Sequence, residues 1–261
     1  RVRRDGITVK KLSFPVPPPS MDDLAARLIG AIGPKTKVLH FCHITNLTGQ
    51  IFPVKRICDA ARAKGVKTIV DGAHAFAHFP YTGADLGCDY YGTSLHKWLL
   101  APIGTGFLYV RRENIEGLWG LQPTGTGRAK DIRKFEEIGT HPAANHNAIA
   151  EALTFHEAIG TERKAARLRY LRNRWATRLS ETGKFRIHTS MDPAQGCAIC
   201  TVQVLNVQTD RAVQQLWDRW RIIATPINHA EFTGIRVTPN VYTTIDEIDT
   251  FGDAMQKIAA S

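Results

Sequence analysis

Two short apolar runs, Val38-Leu-His-Phe-Cys42 and Val66-Lys-Thr-Ile-Val70, flank a segment that opens at Pro53 and closes at Gly65. Proline at a helix start gives up an N–H that the first turn cannot use. Glycine just past a helix end accepts the left-handed exit. With Ile57, Ala60 and Ala61 at helical spacing between them, the stretch reads as strand, helix, strand. Strands joined through a helix run parallel, and parallel strands are covered on both faces. The chain is therefore expected to be α/β, a three-layer α/β/α arrangement around a mostly parallel sheet.

The 261 residues suffice for a sizeable core, and 43% hydrophobic with 22% charged is an ordinary globular composition. No run approaches the roughly 18 apolar residues of a membrane helix, so no membrane partner is expected, and no signal peptide is visible. The net charge of +10 raises the question of nucleic acid, with Arg1-Val2-Arg3-Arg4 and Lys10-Lys11 forming a basic cluster. No nucleic-acid-binding motif accompanies it. Between Arg163 and Arg178, arginines alternate with Leu168, Leu171 and Trp175 as on a solvated helix face. The five cysteines, Cys42, Cys58, Cys88, Cys197 and Cys200, are an odd set with no disulfide framework, which fits a reducing, cytoplasmic setting. Cys197 and Cys200 have zinc-like spacing but no second pair, and they run into an apolar strand.

Along the chain, Arg1 to Ser13 reads as a charged strand followed by a proline-rich crossing. Ser20 with Asp23 caps a helix through Leu24, Leu28 and Ile32. Asp89 to Ser94 and Phe107 to Val110 read as strands, the second antiparallel to its neighbours. Asn145 to Ile159 reads as an apolar helix ending at Gly160, and a basic helix then reaches about Ser180. Phe185 to His188, Ala198 to Leu205 and Gly234 to Thr238 are strand-like, and Thr244 to Glu247 caps a last helix. The division is placed near Gly160: a large domain over 1–160 and a smaller C-terminal α+β domain over 161–261.

The chemistry concentrates between Asp71 and Lys97. Asp71 closes an apolar run, where a parallel strand presents its carboxylate at the ligand-binding edge of a sheet. Lys97 stands among aromatic and aliphatic neighbours that strip its hydration and favour the neutral amine, as imine chemistry requires. The rival reading takes His43, Asp71, His74, His78 and His96 as the metal site of a hydrolase. A third takes the chain as a non-catalytic basic binding protein.

VDGAH, SLHKW, GTGFLYV, RKFEEIGT and GIRVTPNVYTT together resemble the class V branch of the fold-type I pyridoxal-phosphate (PLP) enzymes, along nearly the whole chain. SLHKWLLAPIGTG and RKFEEIGTHPA resemble the isopenicillin N epimerase-like group within it. Leu95 departs from the small residue that many relatives have. The resemblance implies the large domain of fold type I, with pyridoxal 5'-phosphate held by Lys97 as an imine and Asp71 facing the ring nitrogen. Asn46 and His74 are implied near the phenolic oxygen, Ser94 and His96 at the phosphate, and Thr140 at the phosphate of a neighbouring subunit, hence a homodimer with a shared active site. Arg236 is implied for the substrate α-carboxylate. Roughly the first third of a typical member has no counterpart here, which leaves open any export signal it would carry.

The implied reaction is PLP-dependent and acts on an amino acid or amine, of epimerase or aminotransferase type, with a C-S lyase as the alternative. Persulfide transfer is not expected, because residues 221–235 contain no cysteine to accept sulfur.

Overall fold

Asp89 shows how the first sheet is assembled. A computed structural model of the chain describes residues 2–260. In it the Asp89 carboxylate, at the threshold of one strand, accepts from the backbone N–H and hydroxyl of Thr68 on the next strand, at 2.9 and 3.1 Å, and from Asn114 at 2.9 Å. Burial opposes its ionisation, but the bonds from Asn114 and Thr68 outweigh that cost and hold the carboxyl below its usual range.

The elements in order are α1 (Val2–Asp5), α2 (Met21–Gly30), β1 (Val38–Cys42), α3 (Val54–Ala63), β2 (Lys67–Asp71), α4 (Gly83–Leu86), β3 (Tyr90–Ser94) and β4 (Gly106–Val110). Short 3-10 turns lie between Arg112 and Phe135. Then come α5 (Ala143–Asn147), α6 (Ile149–Ile159), α7 (Thr161–Ser180), β5 (Phe185–Ile187), β6 (Cys200–Val204), α8 (Thr209–Trp220), β7 (Thr225–Asn228), β8 (Thr233–Val237) and α9 (Ile245–Ile258).

β1, β2 and β3 run parallel and β4 returns antiparallel, in the spatial order β1-β2-β3-β4. Leu24, Leu28, Ile57 and Cys58 from α2 and α3 close one face of this sheet, packing on Phe41, Val70 and Tyr91. On the other side Ala75, Phe79, Leu95, Trp98 and Leu99 pack against Ala165 and Leu168 of α7 and against Cys197, Ala198 and Ile199. The second sheet, β5-β6-β8-β7, is antiparallel throughout. Its core gathers Leu171, Trp175 and Leu179 of α7 with Phe251, Met255 and Ile258 of α9. One side of α7 thus enters two cores, the first through its early turns and the second through its later ones.

Ser20 caps α2 by accepting from the Asp23 N–H at 3.0 Å, though Asp23 pairs with Arg27 and does not complete the box. Thr244 and Glu247 cap α9 reciprocally. Cys200 lies on β6 with Cys197 just ahead of it, both buried.

Four sequence expectations are corrected. Arg1 lies outside the described residues. The expected strand over the first thirteen is instead α1, ended by Gly6 at φ +64°, followed by chain with no ladder partner. The single helix from Asn145 is two, α5 and α6, and several of its apolar side chains, Phe155 among them, are exposed. α8 and β7 were not anticipated; Pro226 hides β7, which tolerates a missing N–H because it is an edge strand. The α7 arginines are not simply a solvated face. Arg172 is fully buried and donates to the carbonyls of Ser190 and Met191, and Arg174 makes a two-pronged pair with Asp249 of α9 at 2.6 and 2.7 Å.

Gly49 has φ +70°, and a Cβ there would run into the Ile199 carbonyl. Gly49→Ala is expected to cost about 2–4 kcal/mol, combining left-handed strain with overpacking. A drop in the urea unfolding midpoint checks this.

Candidate active site

The parallel register aligns Cys42 with Asp71 and Asp71 with Gly92, so β1 and β2 end at one level and β3 runs on to Ser94. Loops leaving the carboxyl ends of parallel strands are where α/β sheets bind ligands. Past Asp71 the chain turns sharply. Gly72 donates to the Gly92 carbonyl at 2.7 Å, and a Cβ at Gly72 would fall on the Tyr91 ring. The Asp71 Oδ1 accepts from the Ala73 N–H at 2.9 Å, which fixes the carboxylate at the strand edge.

Lys97 follows β3 by three residues. β3 ends at Ser94, and Leu95 and His96 form a turn that the Thr105 carbonyl ties down by accepting from the Leu95 N–H. Ser94 thus ends a strand while His96 lies in a turn, so the period-two alternation of a strand does not relate their side chains. The Lys97 ammonium is half-buried. Burial lowers its pKa below that of an ordinary lysine, and Arg236 acts in the same direction while Asp71 and Cys42 oppose. His74 is pushed down to about 4, first by burial and then by Lys97 and Arg236. Asp71 opposes that shift and His96 adds to it.

Lys97, Asp71, His74, His96 and Arg236 thus form one electrostatic group with Cys42. Arg236 arrives from β8 of the second sheet. Its Nη1 donates to the Asn46 carbonyl at 3.2 Å, and its Nε is buried without a hydrogen-bond partner. Asn46 itself is exposed, in the turn after β1. Ser94 sits at the tip of β3, and Thr140 is exposed on the loop before α5, with no bond to this group among the described residues.

The turn that carries Asn46 is gripped by the second sheet and by the chain between β5 and β6. The carbonyls of Asn46, Leu47 and Thr48 accept in succession from Arg236, from the Thr201 hydroxyl at 2.5 Å and from the Thr189 hydroxyl at 2.6 Å. The Ile51 N–H donates to the Gln195 carbonyl at 2.9 Å. Nothing in the residue pattern marked Thr189 or Thr201, which read as plain strand-region threonines.

The metal reading fails on these contacts. The His43 Nδ1 meets the Tyr91 hydroxyl at 3.1 Å in a buried cluster, and burial pushes its pKa to about 4. His78 spends both nitrogens, on the His74 carbonyl at 2.8 Å and on the Ala198 N–H at 2.9 Å. Among the described residues no three His, Cys, Asp or Glu side chains are placed to hold a metal.

The donor set does fit pyridoxal 5'-phosphate. A half-buried amine suits its aldehyde and a strand-end carboxylate suits its ring nitrogen. Two buried nitrogens without partners, His96 Nδ1 on the first sheet's turn and Arg236 Nε on the second sheet, suit two separate anionic groups.

The fold and this site define a pyridoxal-phosphate enzyme of the fold-type I class. The class V aminotransferase profile matches residues 3–251, and the chain belongs to that family of PLP-dependent enzymes. It is 32% identical to the isopenicillin N epimerase of Streptomyces clavuligerus over 98% of this chain and 69% of that protein. The Amycolatopsis lactamdurans isopenicillin N epimerase also matches at 32%, with the same coverage. Among solved structures, the cysteine desulfurase CsdA of Escherichia coli superposes with TM-score 0.80 at 22% identity, over 99% of this chain and 67% of that one. A C-DES mutant with glycine covalently linked to its PLP cofactor superposes at 0.75 and 24% identity, over 88% of this chain and 63% of that one. At these identities the superpositions show the fold. Among the described residues no helix is long and apolar enough to cross a membrane.

Thr201→Val leaves the Leu47 carbonyl without its donor and is expected to cost about 1–3 kcal/mol, while Thr201→Ser, which keeps the hydroxyl, costs under about 1 kcal/mol. Urea unfolding midpoints of the two variants check the contrast.

Proposed function

We propose that this protein moves the α-hydrogen of an amino acid, as an epimerase or an aminotransferase, with Lys97 holding the cofactor aldehyde and then carrying the proton. The supporting observation is the convergence of Asp71 at the end of β2 and Lys97 just past β3 with Arg236, which arrives from β8 of the second sheet and interacts with Lys97 electrostatically. When bound, pyridoxal 5'-phosphate supplies an electron-accepting ring that stabilises the charge left at the α-carbon.

The remaining work belongs to the chain. Asp71 stands where an anion keeps a ring nitrogen protonated. Burial raises the fraction of Lys97 present as free amine, which serves both attachment and proton transfer. His96 and Ser94 would hold the phosphate, and Asn46 and His74 would face the phenolic oxygen. Arg236 offers a planar fork to the substrate α-carboxylate. Thr140 would reach the phosphate of a partner subunit's cofactor, in a homodimer with a shared active site. In this reading residues 1–160 carry the cofactor and 161–261 the carboxylate-binding arginine.

Two features favour α-hydrogen chemistry over persulfide transfer. Residues 221–235 contain no cysteine, and Cys42, the thiol that interacts with Lys97, is held protonated by burial and by Asp71, with Lys97 opposing. A thiol kept in that form is a poor nucleophile. The likeness to isopenicillin N epimerases along nearly the full chain supports the same side.

Adding pyridoxal 5'-phosphate is expected to give a visible absorbance band that Lys97→Ala lacks; an undiminished band in the variant contradicts the assignment. Because the lysine pKa is lowered from 10.5, half-maximal attachment of the aldehyde is expected at a pH below that value, read from the same band. Incubation with a panel of L- and D-amino acids in heavy water is expected to give α-deuterium exchange or keto acid. Sulfide release without either product overturns the reading.

A further inference from the structure

One indole sorts the two imidazoles that flank it. Trp98 Nε1 has a hydrogen to give and no lone pair to offer. Its 3.2 Å contact with His74 Nδ1 therefore makes that ring nitrogen the acceptor. A neutral His74 then carries its proton on Nε2.

The indole is itself held. His78 stacks on it, with ring centroids 3.7 Å apart and planes 6° from parallel. His78 has only one available state. The His74 carbonyl can only accept, so His78 Nδ1 bears the hydrogen of that 2.8 Å bond, and its Nε2 accepts from the Ala198 N–H at 2.9 Å. The buried Lys164 amine donates to the Trp98 carbonyl, fixing the backbone beneath the ring. Stack, carbonyl and N–H together leave the indole one orientation, with Nε1 facing His74.

We propose that Trp98 is a positioning residue that locks His74 in the Nε2–H tautomer, so that His74 serves the site as a hydrogen-bond donor and not as a general base. The inference rests on the reading of Lys97 as the group that holds the cofactor. For His74 to gain a proton, the proton has to enter at Nδ1, where the indole N–H already stands, so two hydrogens would face each other. The charged groups around the ring act unequally: Lys97, Arg236 and His96 oppose a positive imidazole, and Asp71 favours it. Proton movement at the substrate α-carbon then falls to Lys97, and what His74 offers the pocket is a fixed N–H.

Nitrogen-15 NMR of the purified protein with labelled histidine, with and without pyridoxal 5'-phosphate, reads the tautomer directly. In the unmodified protein the Nε2–H form of His74 is expected to dominate by roughly tenfold, the bias that one hydrogen bond supplies. Trp98→Phe keeps an aromatic ring against His78 and removes the N–H, and is expected to let both tautomers populate. The Nδ1–H form in the unmodified protein, or an unchanged ratio in Trp98→Phe, overturns the proposal. If Trp98→Phe does not fold, the nitrogen-15 spectrum of the unmodified protein decides alone: the Nε2–H form of His74 bears the proposal out, and the Nδ1–H form, which would leave Nε2 free to act as a base, overturns it. Failure of the unmodified protein to form the cofactor's visible band overturns the proposed function and leaves the NMR result standing on its own.

Discussion

Three consecutive carbonyls, those of Asn46, Leu47 and Thr48, are taken by Arg236 and Thr201 of the second sheet and by Thr189 just past β5, and the candidate site depends on that grip. The turn after β1 has no strand partner of its own for these groups, and a buried carbonyl without a donor costs about 1–3 kcal/mol. Satisfying them from Arg236, Thr201 and Thr189 docks the two sheets in one register. The same docking carries Arg236 to the carboxyl edge of the parallel strands, within electrostatic reach of Lys97. A bond that reads as structural therefore also places the group proposed to meet the substrate.

The electrostatics of the cluster sets burial and neighbouring cations against Asp71. A fully buried lysine can lose several pKa units and a free one loses none. Lys97 is half-buried, and Asp71 returns part of what burial and Arg236 remove. Burial and Arg236 move the amine toward its neutral form, and Asp71 and Cys42 hold it toward the charged one. His74 lies on the far side of that balance, with burial and neighbouring cations keeping it neutral. The contrast separates a group suited to carrying a proton from one suited to donating a fixed hydrogen bond.

Local rules read much of this from the residues. Pro53 and Gly65 bracket α3, Ser20 and Thr244 cap their helices, and Asp71 ends a parallel strand, because each signal acts within a few positions of itself. What stayed hidden acts at long range. Thr201 and Thr189 find their carbonyls 154 and 141 residues away, and no local pattern marks such a pair. Trp98 was visible beside Lys97 as an apolar neighbour, while its N–H matters only because the turn after Asp71 brings His74 to it. β7 was obscured by Pro226, whose lack of an N–H argues against a central strand but not against an edge.

The account stands or falls on the amine of Lys97. Loading the protein with pyridoxal 5'-phosphate, reducing it with borohydride and mapping the peptides by mass spectrometry tests it most directly. A phosphopyridoxyl group on Lys97 in near-stoichiometric yield is the result expected. The label on a different lysine, or no label at all, would contradict the account.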